Sequence, residues 1–231
     1  MDRGLTASRW DDEYRAQRYV DEPPLPFVAT ILDTLRAAPR TWRGQGLYVG
    51  CGNGRNYLPL VDAGLDLMGL DVSPEALKGL AARRPTLPPE RLVCEDFRVF
   101  PAAARRFEYV IALQVFQHGD DADVERYVDG VAAVLKPDGL FFLRVNSAST
   151  SVYHAHTVLE RNALGGFTVR YEEGPKAGMP VHFYSRDELV ERLTAAFAPV
   201  LEPREDVIAR EAPKTGSWAQ WETIWARKGD G

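Results

Sequence analysis

Leu47-Tyr48-Val49-Gly50-Cys51-Gly52-Asn53-Gly54-Arg55-Asn56 decides the fold. A short apolar strand, Leu47 to Val49, runs into three glycines at alternate positions. A helix-compatible stretch, Asn56 to Ala63, follows and is closed by Gly64. Glycine tolerates positive φ and lets a ligand lie against bare backbone, so the stretch reads either as a tight strand-to-helix turn or as a ligand loop. The spacing narrows the ligand. A dinucleotide fingerprint places its third glycine three residues after the second, and that position here is Arg55. Glycines at 50, 52 and 54 suit a nucleoside without a diphosphate.

Outward from this loop the chain alternates. Leu65 to Leu70 reads as a second strand. Ser73 can cap a helix with Pro74 at its first position, and Ala76, Leu77, Leu80 and Ala81 form its inner face. Leu92 to Cys94 and Tyr109 to Leu113 read as third and fourth strands. Val124, Val128, Val131 and Leu135 mark an amphipathic helix, Lys136 to Gly139 a turn, and Leu140 to Val145 a fifth strand. Strand and helix alternating at these lengths predict an α/β fold: a parallel, Rossmann-like sheet with helices on both faces. Ligands of such sheets bind at the carboxyl ends of the strands, where strand order reverses.

Upstream, Val28, Ile31, Leu32 and Leu35 form one helical face, stopped by Pro39. Residues 1 to 24 are polar, with Trp10, Tyr14 and Tyr19 interspersed. The expected organisation is a helical lid over residues 1–40 and one domain over 41–231. That domain carries an insertion at about 148–184, rich in glycine, proline and aromatics. Ser185-Arg186-Asp187-Glu188 reads as a capping box, with Leu189, Leu193 and Phe197 on the helix that follows. Two late strands are expected near Val200 to Ala209 and Trp218 to Arg227.

Two acids share the rim with the glycine loop. Asp71 ends the second strand, where a carboxylate can accept from a ribose diol or serve the next helix start. Asp96 ends the third strand, where it can accept from an adenine amino group beside Phe97, or simply be an acid at a strand end. Each is ambiguous alone. A glycine loop and two acids at three successive strand ends favour a nucleoside site.

Gly50-Cys51-Gly52-Asn53-Gly54, Gly69-Leu70-Asp71-Val72-Ser73, Glu95-Asp96-Phe97, Phe107-Glu108-Tyr109-Val110-Ile111 and Leu135-Lys136-Pro137-Asp138-Gly139 stand in order over about residues 40 to 147. In that order the chain resembles a class I S-adenosylmethionine-dependent methyltransferase. Trp10 to Tyr14, Gly52 to Asn56 and His182-Phe183-Tyr184-Ser185 also resemble the tellurite-resistance and thiopurine-type branch. The resemblance implies a seven-stranded sheet with its last strand antiparallel, S-adenosylmethionine as cofactor and S-adenosylhomocysteine as product. It further implies that the loop of Gly50, Cys51, Gly52, Gly54 and Asn56 lies under the methionine part. Asp71 would hold the ribose and Val72 would pack on adenine. Asp96 and Phe97 would bound the adenine, with Leu113 and Gln114 at the methyl end. One departure stands out: the family usually has an acid two residues before the first glycine, and this chain has Tyr48.

A sulfonium methyl is already electrophilic, so the protein mainly has to align nucleophile, methyl and sulfur and exclude water. His118, after the fourth strand, is a candidate base or substrate contact, or else serves the next helix start. His182 is a second catalytic candidate, or a packed core histidine. Trp10, Tyr14 and Tyr19 can close as a lid over a cation, or merely dock the segment. Tyr153, Phe167, Tyr171, Met179 and Phe183 are candidates for the substrate wall. Trp218, Trp221 and Trp225 read as packing of the last strand, and Cys51 and Cys94 as small buried residues. No histidine falls in a metal-ligand motif.

With 28 Lys plus Arg against 33 Asp plus Glu, the net charge is −5, which argues against nonspecific nucleic-acid binding. The longest apolar stretch, Tyr109 to Phe116, is too short for a membrane span, and the N-terminus has no apolar signal core. A cytoplasmic monomer or homodimer acting on a small-molecule acceptor is expected, with sulfur, oxygen and nitrogen all open as the methylated atom. A cofactor-binding protein without turnover is the alternative. A nicotinamide-dependent oxidoreductase is a further one, against which Arg55 speaks.

Overall fold

The computed structural model describes residues 3–100, 106–212 and 214–229. Its main sheet has seven strands in the order β3-β2-β1-β4-β5-β10-β9. β1 (Gly46–Val49) is central, flanked in parallel by β2 (Leu67–Asp71) and β4 (Phe107–Leu113). β3 (Leu92–Cys94) and β5 (Leu135–Asn146) extend the parallel part outward. β10 (Ser217–Arg227) enters antiparallel to β5, and β9 (Phe197–Ala209) forms the edge beyond it. Strand order reverses at β1, between β2 and β4, so the crevice predicted for a ligand opens at the carboxyl ends of these three strands.

Side chains alternate across the sheet, and each face builds its own core. Leu47 and Val49 of β1 and Val110 and Ala112 of β4 join Phe116, Phe141, Val131 and Leu189 on one side. Tyr48, Tyr109 and Ile111 join Ile31, Leu35, Leu60 and Leu80 on the other. The first side packs α6 (Asp121–Val134) and α7 (Arg186–Thr194). The second packs α2 (Phe27–Arg36), α3 (Pro39–Trp42), α4 (Tyr57–Asp62) and α5 (Pro74–Arg83).

The caps follow local chemistry. Ser73 accepts from the Ala76 N–H at 3.0 Å, with Pro74 at the first helical position as expected. At α7 only half of the expected capping box forms. Ser185 accepts from the Glu188 N–H at 3.0 Å, but the Glu188 carboxylate turns inward to His182 and Arg192. The complete reciprocal box lies at α6, where Asp120 and Asp123 each hold the other's backbone N–H. Lys136 to Gly139 is absorbed into β5, with Asp138 at φ 62 providing the kink. Cys94 is exposed on the short edge strand β3, against the expectation of burial, whereas Cys51 is buried.

The insertion is a second, three-stranded antiparallel sheet of β6 (His156–Arg161), β7 (Phe167–Tyr171) and β8 (Pro180–Phe183). β8 stitches it to the loop after β4. The His182 N–H donates to the Gln117 carbonyl at 2.7 Å and the Gly119 N–H to the Pro180 carbonyl at 3.1 Å. The N-terminal segment supplies α1 (Arg3–Arg15), which lies against α5.

Candidate functional site

The glycine turn behaves as the spacing predicts. Gly50, Gly52 and Gly54 all have positive φ, at 70°, 54° and 94°. A Cβ on Gly50 would stand 2.1 Å from Val115 Cγ2, so the chain here admits neither another residue's conformation nor its bulk. Gly50, Cys51, Gly52 and Asn56, the ends of β2 and β4 and the start of the Phe97 turn line one cavity of about 210 Å³, whereas Gly54, expected at the cofactor, faces Leu58 and Leu80 in the core.

Asp71 braces this turn from the end of β2. One carboxylate oxygen accepts from the Gly52 N–H at 2.7 Å, the other from the Ser73 N–H at 2.9 Å. Both readings of Asp71 therefore meet: it orders the turn and the next helix start, and it also lines the cavity. A carboxylate has about four acceptor sites, so two bonds leave capacity for a ligand diol. Burial pushes the Asp71 carboxyl up to about 6, while the Ser73 and Gly52 N–H groups pull it back.

Asp96 also lines the cavity and is buried, which removes the reading of an exposed strand-end acid. Its carboxylate is engaged by Arg98, Nε lying 3.0 and 3.2 Å from its two oxygens, and it caps the turn that begins at Phe97. Arg98 also reaches Asp123 at 2.7 Å. The acid is thus held rigidly at the rim. Phe97 stacks on Phe116 at 5.4 Å between centroids, and Val72, Leu113 and Gln114 complete the wall. Gln114 holds φ 63, an unusual value for a residue with a side chain, and donates to Gln220 Oε1 at 2.8 Å.

Tyr48, where the family has an acid, is buried and lines the cavity with Asn56. Burial raises its hydroxyl far above the phenol range, and the hydrogen bond with Asn56 opposes that rise. Asn56 in turn accepts from the Leu25 N–H at 2.8 Å, so this position offers a neutral hydroxyl instead of a charge.

His118 is brought to the cavity and His182 is not. His118 is buried, neither ring nitrogen has a partner among the described residues, and Trp10 meets its ring edge-on at 5.2 Å. Burial holds its pKa well below the usual value, and the nearby Lys176 ammonium lowers it further, so the ring is a neutral imidazole at pH 7. His182 lies behind the wall. Nδ1 is 2.8 Å from Thr168 Oγ1 and Nε2 is 2.9 Å from Glu188 Oε1, so both nitrogens are spent on packing. Asp121 sits near His182 and Glu188, but Arg192 pairs with both acids and so occupies the cluster.

The aromatic candidates divide. Trp10, Tyr14 and Tyr19 line the cavity from the N-terminal segment. Asp11 anchors that segment by accepting from Ser73 Oγ and from the Glu75 N–H, and Arg55 holds its far end through the Pro23 carbonyl at 2.7 Å and Glu22 at 2.6 Å. Tyr153, Tyr171 and Phe183 instead line a neighbouring groove of about 850 Å³. Phe167 lines neither. It stacks on Phe183 at 5.0 Å under the Arg161 guanidinium, as part of the small sheet's own core with Val169 and Val181, and Met179 is likewise packed away.

Sequence reasoning missed Lys176 and Trp218. Both line the cavity and the groove. Lys176 sits alone in the β7–β8 turn with no pattern to mark it. Trp218 reads as strand packing from sequence, yet its indole N–H donates to Asn146 Oδ1 at 3.1 Å and its ring reaches the cavities, whereas Trp225 is core as expected.

Residues 47–139 match the methyltransferase domain family, over the stretch that builds this cavity. It is this stretch, and not the whole chain, that is similar to a methyltransferase domain. The human mitochondrial ubiquinone biosynthesis O-methyltransferase is 29% identical over 160 residues, which cover 63% of this chain and 42% of that protein. The Methylobacterium sp. (strain 4-46) ubiquinone biosynthesis O-methyltransferase is 33% identical over 99 residues, covering 41% of this chain and 37% of that one. The chain therefore spans less than half the length of these two relatives. In fold, it is similar to 1,6-didemethyltoxoflavin-N1-methyltransferase of Burkholderia thailandensis, solved with S-adenosylhomocysteine, with a TM-score of 0.66 at 20% identity over 98% of this chain and 88% of that one. The chain thus has the seven-stranded sheet with an antiparallel β10 that the resemblance implied. Among the described residues, no helix is long and apolar enough to cross a membrane.

Proposed function

We propose that this chain transfers a methyl group from S-adenosylmethionine to a small-molecule acceptor. The observation that carries the reading is convergence. Gly50 and Gly52 of the turn, the Asp71 carboxylate and the unpartnered imidazole of His118 meet in one cavity beneath an aromatic cover. The residues fit the cofactor: bare backbone at Gly50 and Gly52, spare acceptor capacity at Asp71, and Phe97 and Val72 as an apolar slot.

When bound, S-adenosylmethionine supplies an electrophilic methyl on a sulfonium. The chain's own residues do the rest. Asp71 orients by accepting hydrogen bonds, and Tyr48 with Asn56 offers a neutral polar contact where an acid is usual. Trp10, Tyr14 and Tyr19 exclude water and present π faces to positive charge. The neutral His118 ring takes a proton from an acceptor that must lose one. An acceptor already ionised needs only the alignment.

Calorimetry with S-adenosylhomocysteine, followed by methyl transfer to a panel of phenols, amines and thiols, tests the reading. Uptake of the by-product together with turnover of at least one panel member is expected. No uptake by folded protein overturns it. Uptake without turnover favours a cofactor-binding protein.

A further inference from the structure

The cavity is electrically divided. Its acids, Asp71, Glu95 and Asp96, lie at the ends of β2 and β3. Its cations are Arg55, Arg98 and Lys176, and two of these are spent: Arg55 on Glu22 and the Pro23 carbonyl, Arg98 on Asp96 and Asp123. The Lys176 ammonium alone of the three cationic groups makes no hydrogen bond or ion pair among the described residues. It is offered by a fixed turn. Gly178, at φ 83, sends its N–H to the Tyr171 carbonyl at 2.8 Å, and the Met179 N–H closes on the Lys176 carbonyl at 2.9 Å. Lys176 lines both the cavity and the groove, and so do Tyr19 and Trp218. A cation that shares the junction of a nucleoside-sized cavity and an open groove with two aromatic residues is open to whatever enters from the groove.

We propose that Lys176, with Tyr19 and Trp218 at this throat, binds the anionic group of a flat aromatic acceptor. The inference rests on the function proposed above and names its substrate class. An unpaired, part-buried ammonium is costly unless a counter-charge arrives, and an aromatic anion supplies that charge and two faces for the rings. Burial has pushed the Lys176 amine down to about 8, opposed by Glu13, as expected for a cation awaiting its partner. The titratable groups around it include Glu22, paired with Arg55, and Glu173, beside His154, on the groove, together with His118 from the loop after β4 and Glu13 and Tyr19 from the N-terminal segment. Of these, His118 is neutral at pH 7, burial raises the Tyr19 hydroxyl to about 12, and the Glu13 carboxylate, which acts on Lys176 only through space, is already taken by Arg18 at 3.3 Å and by the Tyr19 hydroxyl at 3.2 Å.

The test compares isosteric pairs by calorimetry, with and without saturating S-adenosylhomocysteine: 4-hydroxybenzoate and 4-hydroxybenzamide, 2-naphthoate and 2-naphthamide, indole-3-acetate and indole-3-acetamide. The expected result is a preference for the anion of about tenfold or more in at least one pair, the worth of a charge-assisted hydrogen bond. Lys176→Met should abolish that preference and Lys176→Arg should keep it. The preference should also fade as pH rises through about 8. Equal binding within every pair overturns the proposal, and so does a preference that survives Lys176→Met. A loss of S-adenosylhomocysteine affinity of about tenfold in Lys176→Met would also overturn it, by assigning the amine to the methionine carboxylate. If the wild type takes up no S-adenosylhomocysteine, the cofactor reading fails, while the pairs measured without it still judge Lys176.

Discussion

Asp71 serves two masters, the backbone of the glycine turn and the cavity, and its titration exposes the second. The folded carboxyl sits at about 6 against an ordinary 3.8, because burial disfavours its charge. Between those values the folded chain holds more protons than the unfolded one. This group therefore favours folding increasingly as pH falls through 6 toward 4, and opposes it above 6. Ligand hydroxyls donate to the ionised form, so binding should release a proton. S-adenosylhomocysteine affinity is expected to rise as pH increases through about 6, and calorimetry in buffers of different ionisation enthalpy should detect the released proton. Asp71→Asn should flatten that profile and weaken binding by about ten- to a hundredfold, the worth of a hydrogen bond to charge. A matched glycine pair separates backbone strain from crowding at the same scale. Gly64 has φ 97 with open space around it, whereas Gly50 has φ 70 with Val115 in the way. Gly64→Ala should cost only about 1–2 kcal/mol of left-handed backbone, or a fall of a few degrees in Tm, and leave ligand uptake intact. Gly50→Ala should lose both stability and uptake, read by thermal scans with and without S-adenosylhomocysteine.

At the scale of elements, the parallel strands were legible because buried strands on a covered sheet read as apolar runs between turn signals. The helical lid expected over residues 1–40 includes α1, although that helix shows no apolar stripe and docks through Asp11 and an edge-on Trp10. Two features were not legible. Strand β6 of the insertion was hidden because it is mostly exposed, leaving no alternation to read, and β7 and β8 because they are short and bounded by glycine- and proline-rich turns. His182 and Phe167 were misassigned to the site because a small sheet needs a core of its own. Asp11 should be the latch of α1, since it holds Ser73 Oγ and the Glu75 N–H while Ser73 continues to cap α5. Asp11→Ala is expected to raise the S-adenosylhomocysteine dissociation rate about tenfold, again the worth of a charged hydrogen bond. The unfolding midpoint should move little. Stopped-flow tryptophan fluorescence follows the release, and replacing Trp10 by Phe should remove most of the signal.

Across the whole molecule, the parallel half and the antiparallel hairpin of β9 and β10 meet at β5, and Arg144 is the rivet. It is buried, and its guanidinium reaches Gln220 Oε1 at 2.7 Å, Asp206 at 2.6 Å, and Glu222. Gln220 Oε1 also receives Gln114 from the cavity wall, so the network that joins the two halves of the sheet also fixes a residue of the site. Breaking a buried ion pair by removing one partner leaves the other charge stranded, at a cost of about 3–5 kcal/mol, whereas an apolar replacement of both is often close to neutral. Glu222 retains Arg204 at 3.3 Å, and Asp206 is part-exposed, so the stranded charge is partly relieved and the lower end of that range applies. Arg144→Met should therefore lower the unfolding free energy by about 3 kcal/mol, a Tm fall of about 6–12 °C for a chain of this size. Adding Glu222→Met should restore most of it. If the double variant stays as unstable as the single one, the cost lies in lost packing of the arginine stem and not in the orphaned carboxylate. Binding separates the roles further. Should Gln114 be held chiefly by Gln220, S-adenosylhomocysteine affinity will survive in both variants once they are folded. Should Arg144 be needed to orient Gln220, affinity will fall in both, including the one whose stability has recovered.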